Sequence, residues 1–196
     1  MNHAIADILK ARIIDLDFVD KIAGLVAATY MDITDESNAK VQKCFPISCT
    51  TTASDLKQGL YDDLCPNSKY KTVIYFEDRG VSFDRREGKF IYYKSNLKLI
   101  CWINIALINS DCCQDGTDCS MSAEMIAEIV CAMPEHPENI SPFVRVFPVI
   151  TSQEIRSNSI FSQYTFNEKQ TQFLMYPYDY FALNIETDFA VCQNCT

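Results

Sequence analysis

The tract from Lys69 to Ile108, KYKTVIYFEDRGVSFDRREGKFIYYKSNLKLICWINIALI, reads as extended chain almost throughout and constrains the fold more than any other stretch. Val73, Ile74, Tyr75 and Phe76 suit a pleated surface and predict a strand over Lys71 to Glu77. Glu87-Gly88 has the composition of a hairpin turn, and Gly80 marks an earlier break. From Leu97 to Ile108 the two faces separate by alternation. Leu97, Leu99, Cys101, Ile103, Ile105 and Leu107 share one, and Lys98, Ile100, Trp102, Asn104, Ala106 and Ile108 the other. Such a strand would reach about 40 Å, against a usual length of roughly 3–10 residues. It must cross the whole domain or leave it as an arm.

The remaining segments supply cover for that sheet. Ile5, Leu9, Leu16, Val19, Ala23 and Val26 recur at mixed spacing and predict a helical region from Ala4 to Tyr30, with Asp17 and Asp20 as a cap that would split it in two. Val41 to Cys49 is an expected short strand, placed at a sheet edge by Pro46. Asp55 to Leu64 is expected to form a helical turn ended by Pro66. Ser120 caps a predicted helix through Met133, stopped by Pro134, with Met121, Met125, Ile126, Ile129 and Val130 on one side. A strand is expected around Phe143 to Phe147 and a closing one over Tyr178 to Val191. In the latter, Phe181, Leu183, Ile185, Phe189 and Val191 face in, and Asn184, Glu186 and Asp188 face out. Strands joined by short turns imply an α+β fold with a mainly antiparallel sheet, flanked by an N-terminal helical region and one amphipathic helix. No linker divides the 196 residues, so a single domain over 1–196 is expected.

Charge narrows the partners. Residues 69–98 hold 8 Lys+Arg against 4 Asp+Glu, a local +4 inside a chain of net charge −9. Residues 99–196 hold 3 against 12, a local −9. An acidic chain is a poor match for nucleic acid or an anionic membrane as main partner. The opening MNHAIADILKARIIDLDF lacks a signal-peptide core, and the apolar run from Leu99 to Ser110 is too short to span a bilayer. A cytosolic origin follows, with the ten cysteines as reduced thiols.

Catalytic patterns are absent. The two histidines are His3, at the terminus, and His136, between Pro134 and Pro137. No G-x-S-x-G, H-E-x-x-H, P-loop or dinucleotide glycine pattern occurs, so no catalytic residue and no cofactor is expected. The acid pairs Glu77-Asp78 and Asp62-Asp63 read as solvated strand ends. Cys192 and Cys195 have knuckle spacing, and Cys112, Cys113 and Cys119 cluster near Asp115, so a four-thiolate zinc site is the alternative reading, that of a soluble binding or regulatory protein. Cys101 and Cys131 are expected on apolar faces as small hydrophobes. Tyr75, Phe76, Tyr92, Tyr93, Tyr176, Tyr178 and Tyr180 are core or interface material.

The basic run Arg79, Arg85, Arg86 and Lys89 has two readings. It is a solvated hairpin protected from edge-to-edge aggregation, or it meets the acidic half of a neighbouring copy, with Trp102, Glu186 and Asp188 completing the contact.

The order of segments carries a resemblance. A helical N-terminus is followed by KCFPIS (Lys43 to Ser48), YKTVIYFEDRG (Tyr70 to Gly80) and LKLICWINIAL (Leu97 to Leu107). An amphipathic helix and MYPYDYFALNIETDFAVC (Met175 to Cys192) complete it. Over most of its length the chain resembles the tail-terminator and head–tail connector ring proteins of tailed bacteriophages, including neck proteins of crAss-like phages. The resemblance implies a virion protein made in the host cytoplasm, assembling with identical subunits into a six- or twelve-fold ring. Neighbouring neck or tail proteins would be its other partners, and DNA would pass the lumen as cargo.

Overall fold

The computed structural model describes residues 1–34, 40–48, 64–109, 121–141, 144–165 and 172–192. Its frame is a seven-stranded sheet. The strands are β1 (Lys21–Thr34), β2 (Lys40–Ser48), β3 (Thr72–Glu87), β4 (Phe90–Asn104), β5 (Glu138–Ser141), β6 (Val144–Glu154) and β7 (Tyr178–Cys192), in the spatial order β2-β1-β3-β4-β7-β6-β5. Every pairing is antiparallel except β1 with β3. With α1 (Asn2–Ile13), α2 (Ile105–Ile108), α3 (Ser122–Ala132) and α4 (Ser157–Ile160), the fold is α+β with an N-terminal helix. The expected α+β class is therefore what the chain adopts.

Both faces of the sheet are covered, by different elements. On one, α1 contributes Ile5, Leu9 and Ile13 and α3 contributes Met125 and Ile129, packed on Ile74, Phe76, Leu97, Leu99, Cys101, Ile103, Phe181, Leu183 and Ile185. On the other, Ile160, Phe161 and Tyr164 pack with Leu64 on Val73, Tyr75, Ile100, Trp102 and Ala182. The alternation read over Leu97 to Ile103 thus sorts residues between two cores. Prolines sit on two outlying strands, Pro46 on the edge strand β2 and Pro148 on β6, where a missing N–H discourages strand addition.

Several expectations are corrected. The helical region from Ala4 to Tyr30 is a helix only to Ile13, and β1 begins at Lys21. Asp20 caps no helix: its carboxylate accepts from the Lys71 backbone N–H at 2.8 Å, and its own N–H donates to Thr72 Oγ1 at 3.2 Å. That pins the α1–β1 turn to the start of β3. A bulge between Ile22 and Leu25 breaks the period of two in β1, which is why its apolar residues mimic helical spacing. Gly24 lies where a Cβ would meet the Asp7 carboxylate at 3.2 Å, so α1 crosses close to the bulge.

The long central strand begins seven residues before Leu97 and ends at Asn104, with Ile105–Ile108 forming a helical turn instead of continuing it. Its neighbours explain the end. β3 starts at Thr72 and β7 at Tyr178, opposite Ile103 and Asn104 respectively, and past them cross-strand bonds run from Asn104 N–H to the Lys71 carbonyl at 2.7 Å and from Ile105 N–H to the Pro177 carbonyl at 3.1 Å. The chain then bonds to itself, Asn109 N–H to the Ile105 carbonyl at 2.8 Å.

The strand expected around Phe143 runs to Glu154, and α3 occupies Ser122–Ala132 within the expected helix, with Val130 and Cys131 exposed rather than inward. Val191, expected inside, is also exposed. The hairpin turn is Gly88-Lys89, one residue on from the expected Glu87-Gly88, with Gly88 in the left-handed region that glycine favours. Asp55 to Leu64 lies outside the described residues except for its last member, which is buried in the second core. Ser120 also lies outside them.

Candidate interaction surface

A belt of polar side chains crosses the sheet and marks where its buried part ends. On the α4 face the row runs through the register partners Glu77 on β3, Lys98 on β4 and Asn184 on β7, continuing to Ser152 on β6. Glu77 is 3% exposed. It accepts from Tyr164 Oη at 2.7 Å, from Arg79 at 2.5 Å and from Gln163 Nε2. The expectation that Glu77-Asp78 is a solvated pair is thus overturned for Glu77, because the 161–165 segment folds back over it. Lys98, also 3% exposed, donates to Glu154 Oε2 at 2.8 Å and to the Ser159 carbonyl at 3.2 Å. Asn184 Nδ2 donates to Glu154 Oε1 and to Ser152 Oγ, both at 3.0 Å.

Burial works against ionisation along this belt unless a partner compensates. Burial alone would raise the Glu154 carboxyl. Hydrogen bonds from Lys98, Asn184 and Ser159, with the Lys98 charge, outweigh it and hold the group below its ordinary value. Burial and the neighbouring Glu77 carboxylate push the Tyr164 hydroxyl well up, and burial does the same to Tyr75. Both hydroxyls stay neutral, and Tyr164, bonded to Glu77, is the hydrogen-bonding latch that holds the covering segment to the sheet.

The opposite face has its own row. Asn2, at the start of α1, donates to Asp78 Oδ1 and accepts from Ser95 Oγ, each at 2.5 Å, and Thr187 is the register partner of Ser95. Asp78 also accepts from the Gly80 N–H at 2.7 Å, inside a bulge where Gly80 takes φ +93. A side chain there would be strained.

Beyond both rows β3, β4 and β7 continue as an arm, with β6 beside β7 as far as Asp188. Thr72–Glu77 of β3 is buried and Asp78–Phe83 exposed. β1 accompanies β3 only from Val73 to Glu77. The arm has two different faces. Register places Val81 opposite Ser95, Phe83 opposite Tyr93, and Ile91 and Tyr93 opposite Val191 and Phe189. These form one apolar side, on which Phe83 meets Tyr93 edge-on at 6.4 Å and Tyr93 stacks on Phe189 at 5.4 Å. Phe83 is 63% exposed and Val81 48%. The other side carries ion pairs. Arg85 lies over the Tyr92 ring at 4.3 Å and bonds Glu87 at 2.7 Å and Asp84 at 2.5 Å, and Lys94 bonds Glu186 at 2.7 Å with Asp188 at 3.9 Å.

The residues expected to form an intersubunit contact are therefore divided. Arg85, Arg86 and Lys89 sit on the arm, and Glu186 and Asp188 lie beside them on β7 rather than on a distant acidic surface. Arg79 is at the belt, tied to Glu77. Trp102 is a correction. It is 1% exposed, stacks on Tyr178 at 5.3 Å and donates Nε1–H to the Phe173 carbonyl at 2.7 Å, so it belongs to the core. Sequence reading placed Tyr93 among core or interface aromatics but did not single out Val81 or Phe83, whose alternation is broken by bulges between Asp78 and Val81 and between Phe83 and Arg85.

Of the cysteines, Cys44, Cys65 and Cys101 are buried and Cys131 is exposed. Cys112, Cys113, Cys119 and Cys195 lie outside the described residues, as does the Cys192 side chain, and no cluster of three metal-ligating residues occurs among the described ones. His136, with Arg12 and Cys131, lines an open hollow of about 530 Å³, where Arg12 bonds Glu138 at 2.5 Å. Among the described residues, no helix is long and apolar enough to cross a membrane. Comparison with protein-family models, with curated proteins and with solved structures gives no match.

Proposed function

We propose that the chain is a structural subunit that assembles with copies of itself into a closed ring. It would act in a phage virion, where head or portal joins the tail, as its segment order resembles. The observation that carries this reading is the arm beyond the polar belt, whose apolar face shows Val81 and Phe83 to solvent. A face of that kind marks a contact surface. Adjacent neck or tail proteins would stack on the ring, and DNA would pass through it. No catalytic residue, cofactor or membrane enters this function.

The charges play a different part from the one their segregation first implies. Arg79, Arg85, Lys94 and Lys98 are all paired within the chain. They shape and solubilise the arm, and the contact energy comes from apolar burial, with charge setting register.

The test is light scattering on the full chain, with negative-stain images of the same fraction. Closed rings with six or twelve subunits' mass are expected. A monomer at every concentration and salt level, alone and with portal or tail-tube protein added, would overturn the reading.

A further inference from the structure

We infer that the apolar face of the arm docks on the outer face of helix α3 of a second copy, a contact that rests on the ring reading above. Within one chain the inner side of α3, Met125 and Ile129, is used up against the sheet. Its outer side carries Ala123, Ala127 and Val130, at spacings that align them in one stripe, all exposed. Val130 is 49% exposed, so the stripe ends in a large apolar side chain open to solvent. Small alanines let a flat sheet face approach closely, and Phe83 and Val81 supply the matching bulk.

Charge selects this pairing over others. Residues 79–94 carry 5 Lys+Arg and 2 Asp+Glu, a net +3, and Glu186 and Asp188 on β7 bring the whole arm to +1. Residues 121–138, from α3 to the start of β5, carry 4 Glu and no Lys or Arg, a net −4. Glu124 and Glu128 are exposed and border the alanine stripe one position on. Arg86 shares the apolar side of the arm through its register with Ile91, and Lys89 sits at the hairpin turn. An arm seated on the stripe therefore brings its cations to those glutamates. The two surfaces are different patches of one chain, so the contact is head-to-tail, the kind that closes into a ring when the rotation allows.

The experiment is a charge swap read by native mass over a concentration series. Arg86→Glu with Lys89→Glu, and separately Glu124→Lys with Glu128→Lys, each weaken assembly by more than about tenfold, since like charges then face each other. All four substitutions together restore assembly. Ala127→Trp is a charge-free control that blocks the approach of the arm, and urea midpoints establish that each variant is folded. If the glutamate pair and Ala127→Trp leave assembly unchanged while the arm pair weakens it, the receiving surface is elsewhere and this inference fails, although the ring reading stands. Two weakened pairs without recovery in the fourfold variant also overturn it. A wild-type chain that never assembles removes both.

Discussion

Trp102→Ala is expected to be the most damaging single substitution in the second core, costing about 4 kcal/mol of unfolding free energy. The side chain is 1% exposed and is the largest of the fully buried ones. Tyr178 stacks on it at 5.3 Å, Phe173 meets it edge-on at 6.4 Å, and its N–H bonds the Phe173 carbonyl at 2.7 Å. Removal leaves a cavity between β4 and the Gln172–Leu174 turn, and an unpaired carbonyl besides. Against a typical stability of about 5–15 kcal/mol, that loss leaves a chain close to unfolding. Urea denaturation followed by circular dichroism measures it. Trp102→Phe keeps most of the volume and loses the hydrogen bond, so it should cost roughly 1–2 kcal/mol. A small effect for the alanine variant would mean that this face is not packed as described.

Lys98 and Glu154 give the second large effect, and it is asymmetric. Glu154→Gln leaves the Lys98 ammonium, 3% exposed, with the Ser159 carbonyl and a neutral amide in place of its counter-charge. Breaking a buried pair from one side costs about 3–5 kcal/mol, and the 27% exposure of Glu154 moves the expectation toward the lower end. Lys98→Met removes the buried charge itself and leaves a carboxylate that reaches water and Asn184, so its cost is about 1 kcal/mol or less.

The pair also has a pH signature. The folded-state carboxyl of Glu154 titrates below its ordinary value, so its contribution is fully present above about pH 4.3, its unfolded value. It disappears as pH falls through the lower folded value. The stability gap between wild type and Glu154→Gln should therefore close on acidification. A gap that stays constant to low pH would show that the glutamine acts through shape rather than charge.

Much of this fold is legible in the residues, and the failures have identifiable causes. The Lys71–Glu77 strand, the turn at Gly88 and the closing strand announce themselves through β-branched and aromatic runs and a glycine. β1 does not, because its bulge destroys the alternation that identifies a strand. The end of β4 is hidden for another reason: Ile105 to Ile108 suits a strand locally, but β3 and β7 begin opposite Ile103 and Asn104, and the chain turns into a helix there. Tertiary context also decides charge. Glu77 looks solvated until the segment around Tyr164 folds over it, and the basic hairpin looks unpaired until β7 brings Glu186 and Asp188 to Lys94. Trp102 looks like contact material because the sequence cannot show that the Gln172–Leu174 turn covers its face of the strand. What the sequence could have shown is the local repeat Val81-Ser82-Phe83, exposed apolar residues beside a glycine break.

In the proposed ring, the arm beyond the polar belt is covered by another copy. The most direct measurement compares the native mass of wild type with that of a Val81→Asp, Phe83→Asp double variant over a concentration series. Both positions are exposed, and Phe83 meets the chain's own rings mainly at the edge of Tyr93, so the monomer should lose no more than about 1 kcal/mol. Wild type is expected in assemblies, and the variant as a folded monomer with a nearly unchanged urea midpoint. Equal masses for the two proteins at every concentration would contradict it.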